Sequence, residues 1–137
     1  DKRELLVFSL AEAARRTRLR TMEAIAADPG NVAGFCEAVL PLDEERRRDW
    51  LVFVAFWGPA GSDPELAADH RRRTRDTRAR LAEVVRAGDP SLSPVEADER
   101  ARRLLMITTG ISTQAVFDPE EWSPARQRRT LREELAK

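Results

Sequence analysis

The side chains that could perform acid–base or nucleophilic chemistry are few and lie far apart in the sequence. The chain has one histidine, His70, and one cysteine, Cys36, and no basic residue next to Cys36 would favour its thiolate. No glycine-rich phosphate loop and no grouping of His, Cys and carboxylates at metal-ligand spacing occurs. We therefore expect a protein that is not an enzyme, with no catalytic residue, no metal site and no cofactor.

Another group of residues has the composition of a small-molecule binding site. The 3.6-residue helical period places His70 on an inner helix face and turns Thr17 and Thr21 inward on another helix, where a dry core would favour leucine or valine. Aromatic side chains repeat along one face of the run Trp50–Trp57, and aromatic walls with a few polar groups are typical of ligand pockets. The predicted ligand-binding residues are Thr17, Thr21, Trp50, Phe53, Trp57, His70, Thr74 and Met106.

The same residues are also compatible with a solid core. A lone histidine on an inner helix face is often a hydrogen-bonded core residue, and large aromatic side chains are most often simply packed. A cavity beside Trp57 and His70 would distinguish the two interpretations.

Helix signals run through the whole chain and predict an all-α fold of about six helices, since no segment alternates apolar and polar residues between turn signals. Asp28-Pro29-Gly30 ends the first helix, Pro41 closes the second, and Ser93-Pro94-Val95-Glu96 is a capping box that opens the fifth. The predicted N-caps of the other helices after the first are Asn31, Asp43, Asp63 and Ser123. The third contains the apolar run Trp50–Trp57, so we expect it to be the central helix. The predicted helices span roughly 3–27, 32–40, 44–57, 64–87, 94–117 and 124 to the C-terminus.

Length and charge restrict the class of protein further. The 137 residues fit one domain, 1–137, and 24 basic against 24 acidic side chains leave no net charge, which argues against tight binding to nucleic acid or an anionic membrane. The arginine-rich stretch 71–80 is interleaved with aspartate, so we expect a solvated helix face there. The longest apolar run is far below the roughly 20 residues of a membrane span. With no recognisable signal peptide, a soluble cytoplasmic protein is expected.

The fifth predicted helix indicates self-association. From Leu104 to Phe117 it carries no charge on any face, and Gly110 in its middle would let another backbone approach. A small domain rarely buries a peripheral helix on every side, so a second copy related by a two-fold axis is the natural partner. The predicted dimer-interface residues are Leu104, Ile107, Gly110, Ile111, Gln114, Phe117, Leu131 and Leu135.

In order and spacing, four parts of the chain resemble the C-terminal regulatory domain of TetR-type transcriptional regulators, in the subgroup similar to the choline/betaine-responsive repressor. The matching segments are Lys2-Arg3-Glu4-Leu5-Leu6, 40–46 leading into Trp50 and Phe56-Trp57, Asp63-Pro64-Glu65-Leu66, and Thr109-Gly110 with 114–119. The resemblance covers essentially the whole chain. It implies an all-helical domain that binds a small effector among its central helices and dimerises through its last two long helices.

The resemblance also implies an N-terminal helix-turn-helix domain that these residues do not contain, so operator DNA would be bound only through that missing part. Leu5 and Phe8 point away from the predicted core side of the first helix, as expected if they pack against such a domain.

We therefore predict the effector-binding and dimerisation domain of a bacterial transcriptional regulator, a repressor whose DNA binding is relieved by a small, mainly apolar molecule. A neutral effector is favoured over a quaternary amine, because no acidic residue is clearly placed beside the aromatic side chains. The alternative is a helical protein-interaction module without an effector pocket.

Overall fold

The computed structural model describes residues 1–137 and contains six α-helices and no strand, so the predicted all-α fold is confirmed. The helices are α1 (Lys2–Ala27), α2 (Val32–Val39), α3 (Glu44–Ala60), α4 (Pro64–Gly88), α5 (Pro94–Phe117) and α6 (Pro124–Leu135). The predicted bounds agree closely except at α3, which continues through Pro59 to Ala60. Pro59 has no N–H to donate to the carbonyl four residues earlier, so one hydrogen bond of the last turn is missing, and the helix ends at the next residue.

Side-chain caps explain where the helices begin. Asp1 and Ser93 form capping boxes with Glu4 and Glu96. In each box, the side chain of either residue accepts a hydrogen bond from the backbone nitrogen of the other. The four remaining helices are capped by Asn31, Asp43, Asp63 and Ser123. Only the Asp1 capping box is absent from the sequence-based prediction.

The apolar core divides into two clusters of buried side chains. The larger lies between α2, α4, α5 and α6 and includes Phe35, Leu81 and Leu131, all of them fully buried. The smaller joins α1, α3 and α4 through Leu10, Phe56 and Leu66.

The most buried helix is α5, and the prediction that α3 would be central is wrong. Eight residues of α5 are buried, and several of them are small, as at Ala97, Ala101 and Ala115. Small side chains allow close packing of neighbouring helices on more than one side, whereas α3 lies at the outside of the bundle with Leu51 exposed. Hydrophobicity alone therefore misidentified the central element.

A close backbone approach fixes the end of α4 against the loop after α1. A Cβ atom built on Gly30 would lie 2.9 Å from the Gly88 Cα, and one built on Gly88 would lie 2.7 Å from the Gly30 carbonyl oxygen. Neither glycine has a positive φ. Both are therefore required by the close contact between the two segments and not by their own backbone conformation.

A buried carboxylate connects α1 to α3. Asp49 is 2% exposed and accepts hydrogen bonds from Arg16 Nη2 at 2.7 Å and from Arg20 Nη2 at 3.1 Å. Because a buried charge is tolerated only when it is paired and hydrogen-bonded, this ion pair holds the two helices together beside the smaller core cluster.

Candidate effector cavity

An open cavity of about 190 Å³ lies between α1, α3, α4 and α5 and borders both core clusters. Seven of the eight predicted ligand-binding residues line it, which brings together side chains from three helices. They are Thr17, Thr21, Trp50, Phe53, Trp57, His70 and Thr74.

The eighth, Met106, is 66% exposed and lies outside the cavity, so its assignment was wrong. The contribution of α5 comes instead from Leu105 and Thr109. The uncharged stretch of α5 has no polar face, so its sequence does not indicate which of its residues point into the domain.

Aromatic rings of α3 form one wall of the cavity. Trp50 packs edge-on against Phe53, with ring centroids 5.4 Å apart, and against Trp57 at 6.3 Å. The Trp50 indole N–H donates to the Val39 carbonyl at 2.7 Å, which fixes the ring and ties α3 to the end of α2. A rigid apolar wall of this kind suits a flat apolar ligand.

The hydroxyls that were predicted to turn inward make hydrogen bonds to their own helix. Thr17 donates to the Ala13 carbonyl at 3.0 Å and Thr21 to the Arg18 carbonyl at 2.7 Å. Backbone bonding of this type satisfies the donor of a threonine on an apolar helix face and leaves its oxygen free to accept. A ligand is therefore not needed to satisfy these groups.

His70 is not a hydrogen-bonded core residue. It is exposed, as is Thr74 one turn further along α4, and both line the cavity at its open side. The His70 ring lies 6.4 Å from that of Phe56, centroid to centroid. The helical period placed His70 on the correct face of α4, but the burial of that face depends on how far α1 and α3 reach across it.

Three arginines that were not among the predicted ligand-binding residues also line the cavity: Arg18, Arg73 and Arg80. Arg73 and Arg80 belong to the stretch expected to be a solvated face, and for these two residues that expectation is corrected. They are one heptad apart and flank Thr77, which itself lines the cavity. That spacing was the available signal, since residues seven apart lie on nearly the same side of a helix.

Cys36 lies apart from the cavity and has the properties of a packed apolar residue. Burial raises the pKa of its thiol to about 11, against which a hydrogen bond involving Thr108 has a smaller effect. The thiol therefore stays protonated at neutral pH and is a poor nucleophile there.

The predicted dimer-interface residues fall into three groups. Leu104, Ile111 and Leu131 are at most 5% exposed and belong to the core of the chain itself, so their assignment to a surface is corrected. Ile107 and Leu135 are half-buried against the same core. The remaining three, Gly110, Gln114 and Phe117, are exposed.

The exposed side of α5 forms an uncharged stripe, which we call the α5 stripe. It consists of Met106, Gly110, Gln114 and Phe117, which recur at helical spacing. Phe117 is 68% exposed, and no heavy atom of a neighbouring segment lies within 4 Å of a Cβ built on Gly110. The outer face of α6 differs in character, since it presents Arg128, Arg129, Arg132 and Glu133.

Two further observations concern the chain as a whole. No three His, Cys, Asp or Glu side chains lie together in a way that could hold a metal ion. None of the six helices combines the length and the apolar character needed to cross a bilayer.

Comparison with known proteins identifies the class. A family model described as the C-terminal part of BetI-type transcriptional repressors matches residues 30–137. A crystal structure of a transcriptional regulator from Rhodococcus sp. Rha1 superposes with a TM-score of 0.81 at 28% sequence identity, over 96% of this chain and 69% of that chain. No curated protein gives a significant match.

Fold and family together define the C-terminal regulatory domain of a TetR-type transcriptional regulator. Within that class, the chain belongs to the BetI-type repressor family. The resemblance noted in the sequence is confirmed.

Proposed function

We propose that residues 1–137 act as one effector-binding domain, in which a small, mainly apolar molecule occupies the cavity and relieves the DNA binding of a cytoplasmic repressor. The observation that carries this proposal is the cavity itself, since an interaction module without an effector would have a filled core beside Trp57. Its aromatic wall and its few polar groups are those of a binding site, and no arrangement of side chains suggests catalysis.

The position of α1 offers a route from the cavity to DNA. In the family, operator DNA would be bound through an N-terminal helix-turn-helix domain preceding α1. Arg3 in the first turn of α1 pairs with Asp63 at 3.0 Å and with Glu65 at 2.9 Å, at the start of α4. The hydrogen bond from Arg3 lowers the pKa of the Asp63 carboxyl. A ligand wedged between α1 and α4 would favour a different spacing of the two helices at this end.

Effector binding is tested by thermal unfolding and tryptophan fluorescence with neutral single-ring probes such as phenol and cyclohexanol. At a hundredfold excess over the dissociation constant, a bound probe should stabilise the chain by about 2.7 kcal/mol and change the emission of Trp50 and Trp57. Trp57→Ala should abolish both responses. Trp122→Ala, which alters a tryptophan packed on the larger core cluster, should retain them. A Trp57→Ala response equal to that of the unsubstituted chain would contradict the proposal.

We further propose that the domain forms a two-fold homodimer in which the α5 stripe packs against its copy. The exposed phenylalanine and methionine supply apolar area, and the open space at Gly110 allows close approach of two helices. The charged face of α6 would border this contact.

Light scattering tests the dimer directly, because the chain mass is 15.5 kDa and the expected particle is twice that. Gly110→Leu should shift the population to monomer, since the leucine would occupy the approach. Gly58→Leu is the matched control, because Gly58 also lies in a helix with nothing within 4 Å of its Cβ position. A monomer at micromolar concentration, or dissociation by both variants alike, would refute this assembly.

A further inference from the structure

The charge lining the cavity is of one sign. Arg18, Arg73 and Arg80 contribute to its wall, and no aspartate or glutamate does. The aromatic rings of the lining come from α3, and the guanidinium groups come from α1 and α4. A mainly apolar space with cations but no carboxylate in its wall favours an anionic group on an apolar ligand.

A neighbouring groove carries charge of the same sign. A groove of about 470 Å³ between α1 and α4 shares Arg18, Arg73 and Arg80 with the cavity and adds two further arginines, Arg15 and Arg72. Its carboxylates are two, Asp69 and Asp76. Five guanidinium groups line the groove with two carboxylates, and Arg15 is also paired with Glu12 at 3.2 Å. The formal excess is therefore two positive charges, so an approaching anion is attracted and a cation repelled.

Arg80 is the most enclosed of these cations. Its side chain is 17% exposed, and its guanidinium carbon lies 5.7 Å from the centroid of the Phe35 ring. Nη1 donates to the Thr21 hydroxyl at 2.6 Å, and Nε donates to Asp76 at 3.3 Å. Burial lowers the pKa of this guanidinium, and the nearby positive charge of Arg18 acts in the same direction.

The positive charge of Arg80 is not fully compensated. The Asp76 oxygen that accepts a hydrogen bond from Arg80 Nε also accepts one from Arg18 Nη1 at 3.2 Å. Two guanidinium groups therefore share one carboxylate that is itself half-exposed. A second anion supplied by a ligand would restore the balance and would be held by charge-assisted hydrogen bonds, the strongest kind available to a neutral-pH site.

We propose that the cavity binds a small aromatic or alkyl carboxylate, with its apolar body against Trp50 and Trp57 and its carboxylate at Arg80, assisted by Arg18 and Arg73. The inference rests on the proposed effector site and names its ligand class. The size agrees, because a cavity of roughly 150 Å³ holds a benzene ring and this one measures about 190 Å³. A quaternary amine is disfavoured by the same three arginines.

The experiment compares three probes that share a benzyl group and differ in the charge of the head group: phenylacetate, phenylacetamide and benzyltrimethylammonium. Titration calorimetry on the 137-residue chain should give phenylacetate at least a tenfold higher affinity than the amide, as expected for one charge-assisted hydrogen-bonded contact, and no binding of the ammonium ion. Arg80→Gln should lower the affinity for phenylacetate by a larger factor than the affinity for phenylacetamide, so that the preference for the anion falls several-fold, with Arg18 and Arg73 accounting for what remains. Raising the salt concentration should weaken phenylacetate alone.

Arg78→Gln is the matched control, since Arg78 lies on the same helix but pairs with Asp98 at 3.0 Å, away from the cavity. It should preserve the preference for phenylacetate. Should Arg80→Gln not fold, Arg73→Gln reports on the same anion site from the more exposed rim.

The outcomes separate this inference from the proposed function. If the amide or the ammonium ion binds as tightly as phenylacetate, the carboxylate assignment is overturned while the cavity remains a ligand site. An unchanged preference in both arginine variants overturns it as well. If none of the three binds at millimolar concentration and the neutral probes also fail, both proposals fall together.

Discussion

Replacing Asp49 by alanine is expected to lower the free energy of unfolding by about 3 kcal/mol, because the change leaves two guanidinium groups facing an empty, water-poor site. Arg20, with a side chain 16% exposed, keeps its ion pair with Glu45 at 2.8 Å, and Arg16, which is 37% exposed, can turn towards water. Part of the loss is therefore recovered, which places the value at the lower end for buried pairs. For a domain stabilised by roughly 5–15 kcal/mol, this is a large fraction.

Urea denaturation followed by circular dichroism measures the effect. With a slope of about 2 kcal/mol per molar, the midpoint should fall by roughly 1.5 M. Asp98→Ala is the control, because Asp98 also bridges two arginines but is 38% exposed in its side chain. Exposed pairs contribute at most about 1 kcal/mol. Equal losses in the two variants would show that the buried α1–α3 ion pair contributes no more to the free energy of unfolding than an exposed one.

Filling the cavity should eliminate ligand binding without unfolding the domain. Thr17→Trp places a large ring from α1 into the space facing Trp50 and Trp57, so a ligand must displace it or be excluded. We expect affinity for any cavity ligand to fall at least about a hundredfold, equivalent to 2.7 kcal/mol. The stability of the unliganded chain should change by only about 1 kcal/mol, because the ring enters existing space instead of a packed core.

The control for this variant is Met22→Trp, which adds the same ring to the outward side of α1, where Met22 is 49% exposed. It should bind probes as the unsubstituted chain does. Retention of binding in Thr17→Trp, with an intact thermal transition, would place the ligand site somewhere other than this cavity.

Much of the fold followed from local chemistry in the sequence. The caps at Asn31, Asp43, Asp63, Ser93 and Ser123 and the breaks at Pro29 and Pro41 act over one helical turn. Helix bounds depend on such short-range hydrogen bonding, so they were predicted to within a few residues. The helical period likewise placed seven cavity residues on the correct faces of α1, α3 and α4.

The errors share one origin, since burial depends on neighbours that the period does not specify. The uncharged stretch of α5 has no polar face that marks its outer side. Met106 was therefore predicted to point inward, and Leu104 and Ile111 were predicted to lie on the surface, whereas the structure shows the reverse. The apolar run of α3 suggested a central helix, yet the small residues of α5 gave that helix the closer packing.

By itself, the sequence determined six helices, their ends and the family resemblance, because these depend on residues within a few turns of one another or on their order along the chain. Only the tertiary structure decided that a cavity is left between α1, α3, α4 and α5, and that Arg80 of α4 donates a hydrogen bond to Thr21 of α1 in its wall. The physical reason is that a guanidinium on a long flexible stem is placed by whatever counter-charges and rings surround it. Those surroundings come from segments some sixty residues apart in the chain.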